Sequence, residues 1–147
     1  MEIERKFLVV GDFSPLATHS SVILQAYLAC GPDVTVRVRL SDGRGYLTVK
    51  GPCDARGFSH REYEYLIPAD EAAEIISFSA HCVEKERFYV PNGLHTIEVD
   101  VFRGRHSGLV IAEIELRSED EPFERPAWLG REVTGEHQYY NSWLSQH

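Results

Sequence analysis

Charged residues of one sign recur at every second position in several short segments of this 147-residue sequence. Side chains at positions i and i+2 of a strand point to the same face, so each such pair is expected to lie side by side. Six predicted strands carry a pair: Glu2 and Glu4, Arg37 and Arg39, Glu62 and Glu64, Lys85 and Arg87, Glu98 and Asp100, and Glu113 and Glu115. Lys6 continues the face of the first pair, and Lys50 ends the strand that follows the arginine pair.

The chemistry of these pairs follows from their charge. Two like charges about 7 Å apart repel by about 2 kcal/mol at an effective dielectric constant near 20, so each pair requires counter-ions. Carboxylate pairs are typical ligands of a hard divalent cation. Arginine and lysine pairs bind phosphate oxygens, and arginine does so with two parallel hydrogen bonds. Acidic and basic pairs in one cavity would therefore suit a metal–polyphosphate complex.

The competing interpretation is that these charged faces are simply solvated. An antiparallel strand with one apolar and one charged face normally turns its charges to water, and for any single strand this interpretation is favoured. Solvated faces usually mix both signs, however, whereas six strands here each carry a pair of one sign. We therefore expect the charged faces to converge on an enclosed channel.

The elements that must position these residues are mostly strands. The alternation predicts eight of them: Glu2–Val10, Gln25–Ala29, Thr35–Leu40, Gly45–Lys50, Arg61–Ile67, Val83–Val90, Thr96–Phe102 and Val110–Arg117. Turn residues such as Ser41-Asp42-Gly43 separate them. A short helix is predicted over Asp70–Ser79 with Asp70 as its N-cap, and a closing helix over Glu136–Gln146 that offers Trp143 and Leu144 to the sheet.

These elements predict a mainly β (α+β) fold, in which eight antiparallel strands form a closed barrel with a few short peripheral helices. No internal repeat or second domain is evident, so residues 1–147 are expected to form a single domain.

Composition excludes several functional classes. The net charge of −8 argues against general nucleic-acid binding, which needs a positive surface field. No apolar stretch is long enough to span a bilayer, and charge from Glu2 onward argues against a signal peptide. Three widely spaced cysteines favour a reducing, cytoplasmic compartment. The scattered histidines, no two of which are four residues apart, do not favour a histidine-based zinc site.

The sequence resembles the CYTH superfamily of triphosphate tunnel metalloenzymes. Its opening Glu2-Ile3-Glu4-Arg5-Lys6 is similar to that family's Glu-x-Glu-x-Lys signature. The resemblance continues, in order, through Val36–Arg39, Leu47–Gly51, Glu62–Glu64, Glu84–Arg87, Glu98–Asp100, Ala112–Leu116 and Trp128–Thr134. It implies an eight-stranded antiparallel tunnel that holds the charged faces. Within the family the chain is similar to the small bacterial-type inorganic triphosphatases.

The resemblance also implies roles for the charged residues. Mg²⁺ or Mn²⁺ would be held by Glu2, Glu4, Glu113 and Glu115, with Glu98 and Asp100 as further carboxylates of the metal site. The phosphate chain would be bound by Lys6, Arg37, Arg39, Lys50 and Arg87. Glu62 and Glu64 would place a second metal or the attacking water. Lys85, which the family pairs with a tyrosine on the second strand, here Tyr27, would either accept a proton from water or only bind phosphate.

The expected activity is metal-dependent hydrolysis of a linear triphosphate, with inorganic tripolyphosphate as the leading substrate. The alternatives are a nucleoside triphosphatase, a class IV-like adenylyl cyclase, a thiamine triphosphatase and a polyphosphate- or nucleotide-binding barrel without turnover. Gln138 stands where the family often has a basic residue, so the C-terminal helix is expected to plug the tunnel rather than bind phosphate. The apolar outer faces predict a homodimer, and neither nucleic acid nor membrane is expected as a partner.

Overall fold

The computed structural model describes residues 2–55 and 59–147, which form one mainly antiparallel sheet with two short α-helices. The strands are β1 (Glu2–Val9), β2 (His19–Cys30), β3 (Thr35–Ser41), β4 (Arg44–Lys50), β5 (Ser59–His60), β6 (Glu62–Ile67), β7 (Cys82–Asn92), β8 (His95–Phe102), β9 (Val110–Leu116) and β10 (Leu129–Glu132). The helices are α1 (Ala69–Ser77) and α2 (Asn141–Gln146). All eight predicted strands are present, and β5 and β10 are two short strands that the alternation did not predict.

The strands follow one continuous path in the order β10-β1-β9-β8-β7-β2-β3-β4-β6, and β5 pairs with β1. Four of the eight neighbouring pairs on this path are antiparallel strands that are consecutive in the chain and joined by short links: β2–β3, β3–β4, β7–β8 and β8–β9. The hairpin between β3 and β4 is a two-residue turn in which Asp42 and Gly43 both have positive φ, as its Asp-Gly sequence predicts.

The predicted mainly β, antiparallel fold with a few short helices is confirmed. The sheet itself is not closed, because β6 pairs with β4 and not with β1. The second edge of β1 is divided between two short strands. At its start Glu2 and Ile3 pair with β5, and near its end Phe7 and Val9 pair with β10. Within residues 2–55 and 59–147, the gap in the sheet between β6 and β1 is bridged by the two residue pairs of β5, which lies one residue before β6 in the chain.

The apolar faces of the strands point outward and are covered by the chain's own segments. A core cluster outside β1, β8 and β9 includes Phe7 and Val99 and is covered by Phe13 and Trp128 from the connecting segments. A second cluster joins Ala26 and Val38 of the sheet to α1. Burial of these side chains is the main favourable term in folding, and it fixes which face of each strand points inward.

Helix α1 packs on the outer face of β2, β3 and β4 through Ala72 and Ile76. It lies so close to the sheet that a Cβ atom at Gly45 would be 2.7 Å from the Cβ of Ala72. The prediction that Asp70 caps this helix is wrong, because the cap position is Pro68 and Asp70 lies in the first turn. There its carboxylate still favours the helix through the macrodipole.

Helix α2 lies at one end of the tunnel and is shorter than the predicted Glu136–Gln146, because a 3₁₀ turn over His137–Tyr139 precedes it. Leu144 is buried against the inward-facing Val83, Phe102 and Ile111, whereas Trp143 is partly exposed. The helix thus plugs the tunnel with Leu144 rather than with both predicted side chains. Among the described residues, no helix combines the length and apolar character needed to cross a membrane.

Candidate active site

The charged faces of the strands line one cavity of about 850 Å³. Every predicted site residue except Asp100 contributes to its lining: Glu2, Glu4 and Lys6 from β1, Tyr27 from β2, Arg37 and Arg39 from β3, Lys50 from β4, Glu62 and Glu64 from β6, Lys85 and Arg87 from β7, Glu98 from β8, and Glu113 and Glu115 from β9. Because these strands are neighbours in the sheet, their inward positions converge as the i, i+2 pattern predicts.

The carboxylates of β1 and β9 crowd one another. Burial, together with Glu113 and Glu2, raises the pKa of Glu4 to about 8. Burial also raises the pKa of Glu2, with a hydrogen bond to Glu62 acting in the same direction, although Lys50 donates a hydrogen bond of 2.9 Å to Glu2 Oε1. Burial raises the pKa of Glu113 as well, but Lys6 at 3.4 Å and Arg87 outweigh it and hold the pKa well below its usual value.

The basic residues form a second crowded group across the cavity. Burial lowers the pKa of Arg39 to about 10, and the neighbouring Arg37 and Arg87 act in the same direction. Gln25 Oε1 accepts a hydrogen bond of 2.9 Å from Arg39 Nε, which holds the side chain without neutralising it. Arg37 donates to Thr48 Oγ1 at 3.2 Å and lies 3.8 Å from both Glu62 and Glu64. An anion between these guanidinium groups would relieve their mutual repulsion.

Lys85 is fully buried between the two groups, with 1% of its surface exposed. Its Nζ donates to Asp100 Oδ2 at 2.6 Å and to Asn141 Oδ1 at 2.8 Å. Burial nevertheless lowers the pKa of Lys85 to about 7, because Arg87 and Arg39 oppose the attraction of Asp100. A substantial fraction of Lys85 is therefore neutral near pH 7, and a neutral amine can accept a proton.

The expectation that Asp100 is a metal ligand does not fit its position. Asp100 lies behind the cavity lining, with one carboxylate oxygen bonded to Lys85 and both bonded to Arg87, at 2.7 and 3.0 Å. Burial raises the pKa of Asp100, but Arg87 and Lys85 outweigh this and lower it to about 2. Its geometry is that of a counter-ion that orients Lys85 and Arg87.

Tyr27 lies in the same cavity as Lys85 but is held by another partner. Its hydroxyl accepts a hydrogen bond from Gln25 Nε2 at 3.1 Å. The bonds of Lys85 Nζ described above go to Asp100 and Asn141. The expected lysine–tyrosine pair therefore shares a cavity without sharing a hydrogen bond among the described residues.

Among the lining residues that the charge pattern did not indicate, Asn141 and His60 lie next to predicted site residues. Asn141, at the start of α2, bonds Lys85 and also accepts from Gln25 Nε2 at 3.1 Å. His60 of β5 lies opposite Glu2 across the seam, and its pKa is lowered by burial and by Lys50, whereas a hydrogen bond to the Gly51 backbone opposes this. Neither residue belongs to an i, i+2 pair, so only the register of β5 and the position of α2 could have indicated them.

The donor set of the acidic group fits a divalent cation. Glu2, Glu4 and His60 each offer one ligand atom, and these atoms lie within 4.8 Å of one another. Burial, followed by the charges of Glu113 and Glu2, raises the pKa of Glu4, and a hard cation with oxygen ligands would stabilise the carboxylate form. Glu113 and Glu115 line the same cavity and could add further oxygens.

The chain is similar in sequence to one protein family and to two proteins that are named as enzymes. A family model described as the CYTH domain matches residues 1–142. A protein from Acetivibrio thermocellus named inorganic triphosphatase is 46% identical over 143 residues, which cover 96% of this chain and 90% of that protein. A second inorganic triphosphatase, from Nitrosomonas europaea, is 35% identical over 150 residues and covers 98% of this chain and 96% of that protein.

The fold is matched by a solved structure as well. A crystal structure described as an inorganic triphosphatase superposes with a TM-score of 0.72 at 31% identity, over 100% of this chain and 95% of that one. The match extends over the whole sheet and both helices, so the tunnel-like fold is shared despite the short seam.

Proposed function

This chain belongs to the CYTH domain family, whose triphosphatases depend on a metal, and we propose that it is a hydrolase that cleaves inorganic tripolyphosphate to pyrophosphate and phosphate. Two relatives named inorganic triphosphatase, one of them 46% identical to this chain, support this proposal. Residues 1–147 are proposed to form one functional domain.

One observation carries the proposal: like charges of both signs are crowded within a single cavity. Burial and, with it, the neighbouring Glu113 and Glu2 raise the pKa of Glu4, so a cation would stabilise its charged form. Burial and the neighbouring Arg37 and Arg87 lower the pKa of Arg39, so an anion would stabilise its charged form. A linear triphosphate with a divalent cation supplies both in one ligand. A site for an anion alone would gain nothing from the carboxylates.

We assign the cation, Mg²⁺ or Mn²⁺, to Glu2, Glu4, Glu113 and Glu115. When bound, it would neutralise charge on the phosphate oxygens and polarise the phosphoryl group. The chain's contribution is to bring these carboxylates together from the paired strands β1 and β9, and Glu98 of β8, which lies opposite Glu113, is 3.4 Å from Arg87.

The phosphate chain is assigned to Lys6, Arg37, Arg39, Lys50 and Arg87. Arginine can hold two phosphate oxygens at once, so the three guanidinium groups would fix the terminal phosphoryl group as well as neutralise it. Phosphoryl transfer needs little covalent assistance from a protein, and positioning and charge stabilisation supply most of the catalysis.

Lys85 is assigned as the general base. Its neutral Nζ accepts a proton from the attacking water, the water oxygen forms a bond to the terminal phosphorus, and the bond from that phosphorus to the bridging oxygen breaks. The products are phosphate and pyrophosphate, and the proton on Lys85 is later released to solvent. Glu62 and Glu64 are assigned to orient the water, and Tyr27 to contact the substrate near Lys85.

Assays with four substrates test this function. Purified protein is incubated with tripolyphosphate, ATP, pyrophosphate or thiamine triphosphate, each with Mg²⁺ or Mn²⁺, and released phosphate and cyclic AMP are measured. We expect the highest kcat/KM with tripolyphosphate. Preferred cyclic AMP formation would favour the adenylyl cyclase alternative, and no release from any triphosphate would contradict hydrolysis and favour a binding barrel.

A matched pair of variants links the activity to the cavity. Arg39→Ala removes a cavity-lining guanidinium, whereas Arg44→Ala removes an exposed arginine from the neighbouring hairpin. Because a hydrogen bond to a charged group is worth about 1.5–3 kcal/mol, we expect Arg39→Ala to lower kcat/KM by about 10- to 150-fold. Equal activity of Arg39→Ala and Arg44→Ala would contradict the assignment of the reaction to this cavity. A cytoplasmic location is part of the proposal, since three widely spaced cysteines are typical of a reducing compartment.

A further inference from the structure

The cavity lining contains a histidine, His60, to which the proposed mechanism gives no task. One ring nitrogen of His60 and one carboxylate oxygen each of Glu2 and Glu4 lie within 4.8 Å of one another. Two ligands bound about 2.1 Å from the same ion can be at most about 4.2 Å apart, so these three groups need to approach by only roughly half an ångström. The side chains are thus close to the spacing that a single cation imposes.

The backbone sets this arrangement. His60 belongs to β5 and is the direct cross-strand partner of Glu2 on β1. Directly opposed residues of an antiparallel pair have side chains on the same face, and Glu4 follows two positions later on that face. The short seam strand therefore carries an imidazole into the carboxylate group of the neighbouring strand.

The ring of His60 is also held in a manner suited to a ligand. A hydrogen bond to the Gly51 backbone fixes it from one side. Its Nδ1 is buried and has no hydrogen-bond partner within residues 2–55 and 59–147. Arg37 Nε and Trp128 Nε1 share that property, but both are N–H groups that cannot bind a cation, whereas a neutral imidazole has one nitrogen with a free lone pair. Metal-binding histidines commonly have their second nitrogen fixed by a backbone carbonyl.

We propose that His60 adds a nitrogen ligand to the divalent cation assigned to Glu2, Glu4, Glu113 and Glu115, and that it makes the site prefer Mn²⁺ over Mg²⁺. Mg²⁺ is a hard ion that favours an all-oxygen shell, whereas imidazole binds transition-metal ions well. This inference deepens the proposed function, because it concerns the cation of the same cavity.

The test measures metal binding without any triphosphate. Metal-free wild-type protein and its His60→Ala, His60→Gln and His137→Ala variants are titrated with Mn²⁺ and Mg²⁺ by calorimetry. His137 lines the same cavity outside the cluster and is the matched control. We expect wild type and His137→Ala to bind Mn²⁺ about tenfold or more tightly than Mg²⁺, and both His60 variants to lose that preference through weaker Mn²⁺ binding.

Electron spin-echo spectra of bound Mn²⁺ provide a readout that does not depend on a variant. Wild type and His137→Ala should show modulation from a coordinated imidazole nitrogen, and the His60 variants should not. Absence of nitrogen modulation in wild type, or an unchanged Mn²⁺/Mg²⁺ preference in both folded His60 variants, would overturn the proposal. Since no substrate is present, nitrogen coordination in a protein that hydrolyses no triphosphate would contradict the proposed function alone.

Discussion

At the scale of single residues, Lys85 is subject to two opposing influences. Burial and the positive charges of Arg87 and Arg39 favour its neutral form, whereas Asp100, whose carboxylate is 2.6 Å away, favours the charged form. The outcome is a pKa of about 7, which is close to the value that suits a general base at neutral pH. A lysine that only bound phosphate would need no such shift.

The base assignment predicts a pH dependence. For the wild-type protein, kcat/KM for tripolyphosphate should rise as pH increases through about 7, because Lys85 must lose a proton in the free enzyme before it can accept one. Lys85→Arg keeps the positive charge but does not deprotonate in this range. The variant should lose most of the activity and this limb of the profile.

Both the wild type and Lys85→Arg are assayed over pH 5.5–9. Because the substrate titrates identically in both series, the ratio of their kcat/KM values reports only the titration of the protein. Full activity of Lys85→Arg, or the same rising limb in both proteins, would leave phosphate binding as the function of Lys85.

The lowered pKa of Lys85 also predicts how the free energy of unfolding depends on pH. Since the pKa of Lys85 is lower in the folded than in the unfolded state, the unfolded state binds more protons between the two values, and this residue makes stability rise with pH above about 7.

Asp100 supplies a prediction about stability. Asp100→Asn would leave Lys85 and Arg87 buried without their shared counter-ion, and removal of one partner of a buried ion pair costs about 3–5 kcal/mol. We expect urea denaturation at pH 7 to show a loss of that order, whereas Asp33→Asn at an exposed position should change little. A variant as stable as the wild type would show that the carboxylate charge is not needed there.

At the scale of elements, alternation in the sequence was enough to predict the eight long strands and their inward faces. The charged pairs of β1, β3, β6, β7 and β9 all line the cavity, because a period of two fixes the face once the apolar side is buried. The seam was not predictable in this way. Strand β5 has two residues and β10 has four, which is too short for alternation to be recognised, and their pairing with β1 is set by tertiary contacts.

Helix α2 was predicted to plug the tunnel, but the contact of its first residue, Asn141, with Lys85 was not predicted. The side-chain oxygen of Asn141 lies 2.8 Å from Lys85 Nζ because the burial of Leu144 places the start of the helix over the cavity. No periodicity in a six-residue helix indicates which of its residues will face a lysine on β7. The positioning of functional side chains by α2 is therefore a property of the packed structure.

This contact predicts a shift in the pH profile. Asn141 Oδ1 accepts a hydrogen bond from Lys85, and an acceptor favours the protonated amine. Asn141→Ala should therefore lower the pKa of Lys85 and move the rising limb of kcat/KM to lower pH. Ser142→Ala, which alters the next residue of the cavity lining, is the control and should leave the limb in place. An unmoved limb in folded Asn141→Ala would mean that α2 does not influence the base.

At the scale of the whole molecule, the usual relation between sheet and solvent is reversed. The outward faces are apolar and are covered by α1 and by connecting segments that carry Phe13 and Trp128, whereas the inward faces carry the charges. This covering removes the main reason for predicting a homodimer, although Tyr63, Tyr65 and Leu66 of β6 remain exposed. A dimer stays a prediction, which sedimentation at micromolar concentration can test.

The interior charges predict that the divalent cation and the triphosphate raise the stability of the folded protein cooperatively, because each compensates a different group of charges. The cavity is lined by carboxylates from β1, β6, β8 and β9 and by basic groups from β1, β3, β4 and β7, so a cation alone or an anion alone leaves one crowded group uncompensated. A ligand at a hundred times its Kd stabilises the folded state by about 2.7 kcal/mol. For a protein of this size each kcal/mol corresponds to a rise in Tm of roughly 2–5 °C. In Lys85→Arg protein, where turnover should not interfere, Mn²⁺ with tripolyphosphate should raise Tm by more than the sum of their separate effects, and sulfate at matched ionic strength should not replace tripolyphosphate. Separate effects that merely add would mean that the cation and the phosphate chain bind at independent places, and the crowded carboxylates and guanidinium groups would then not form one site.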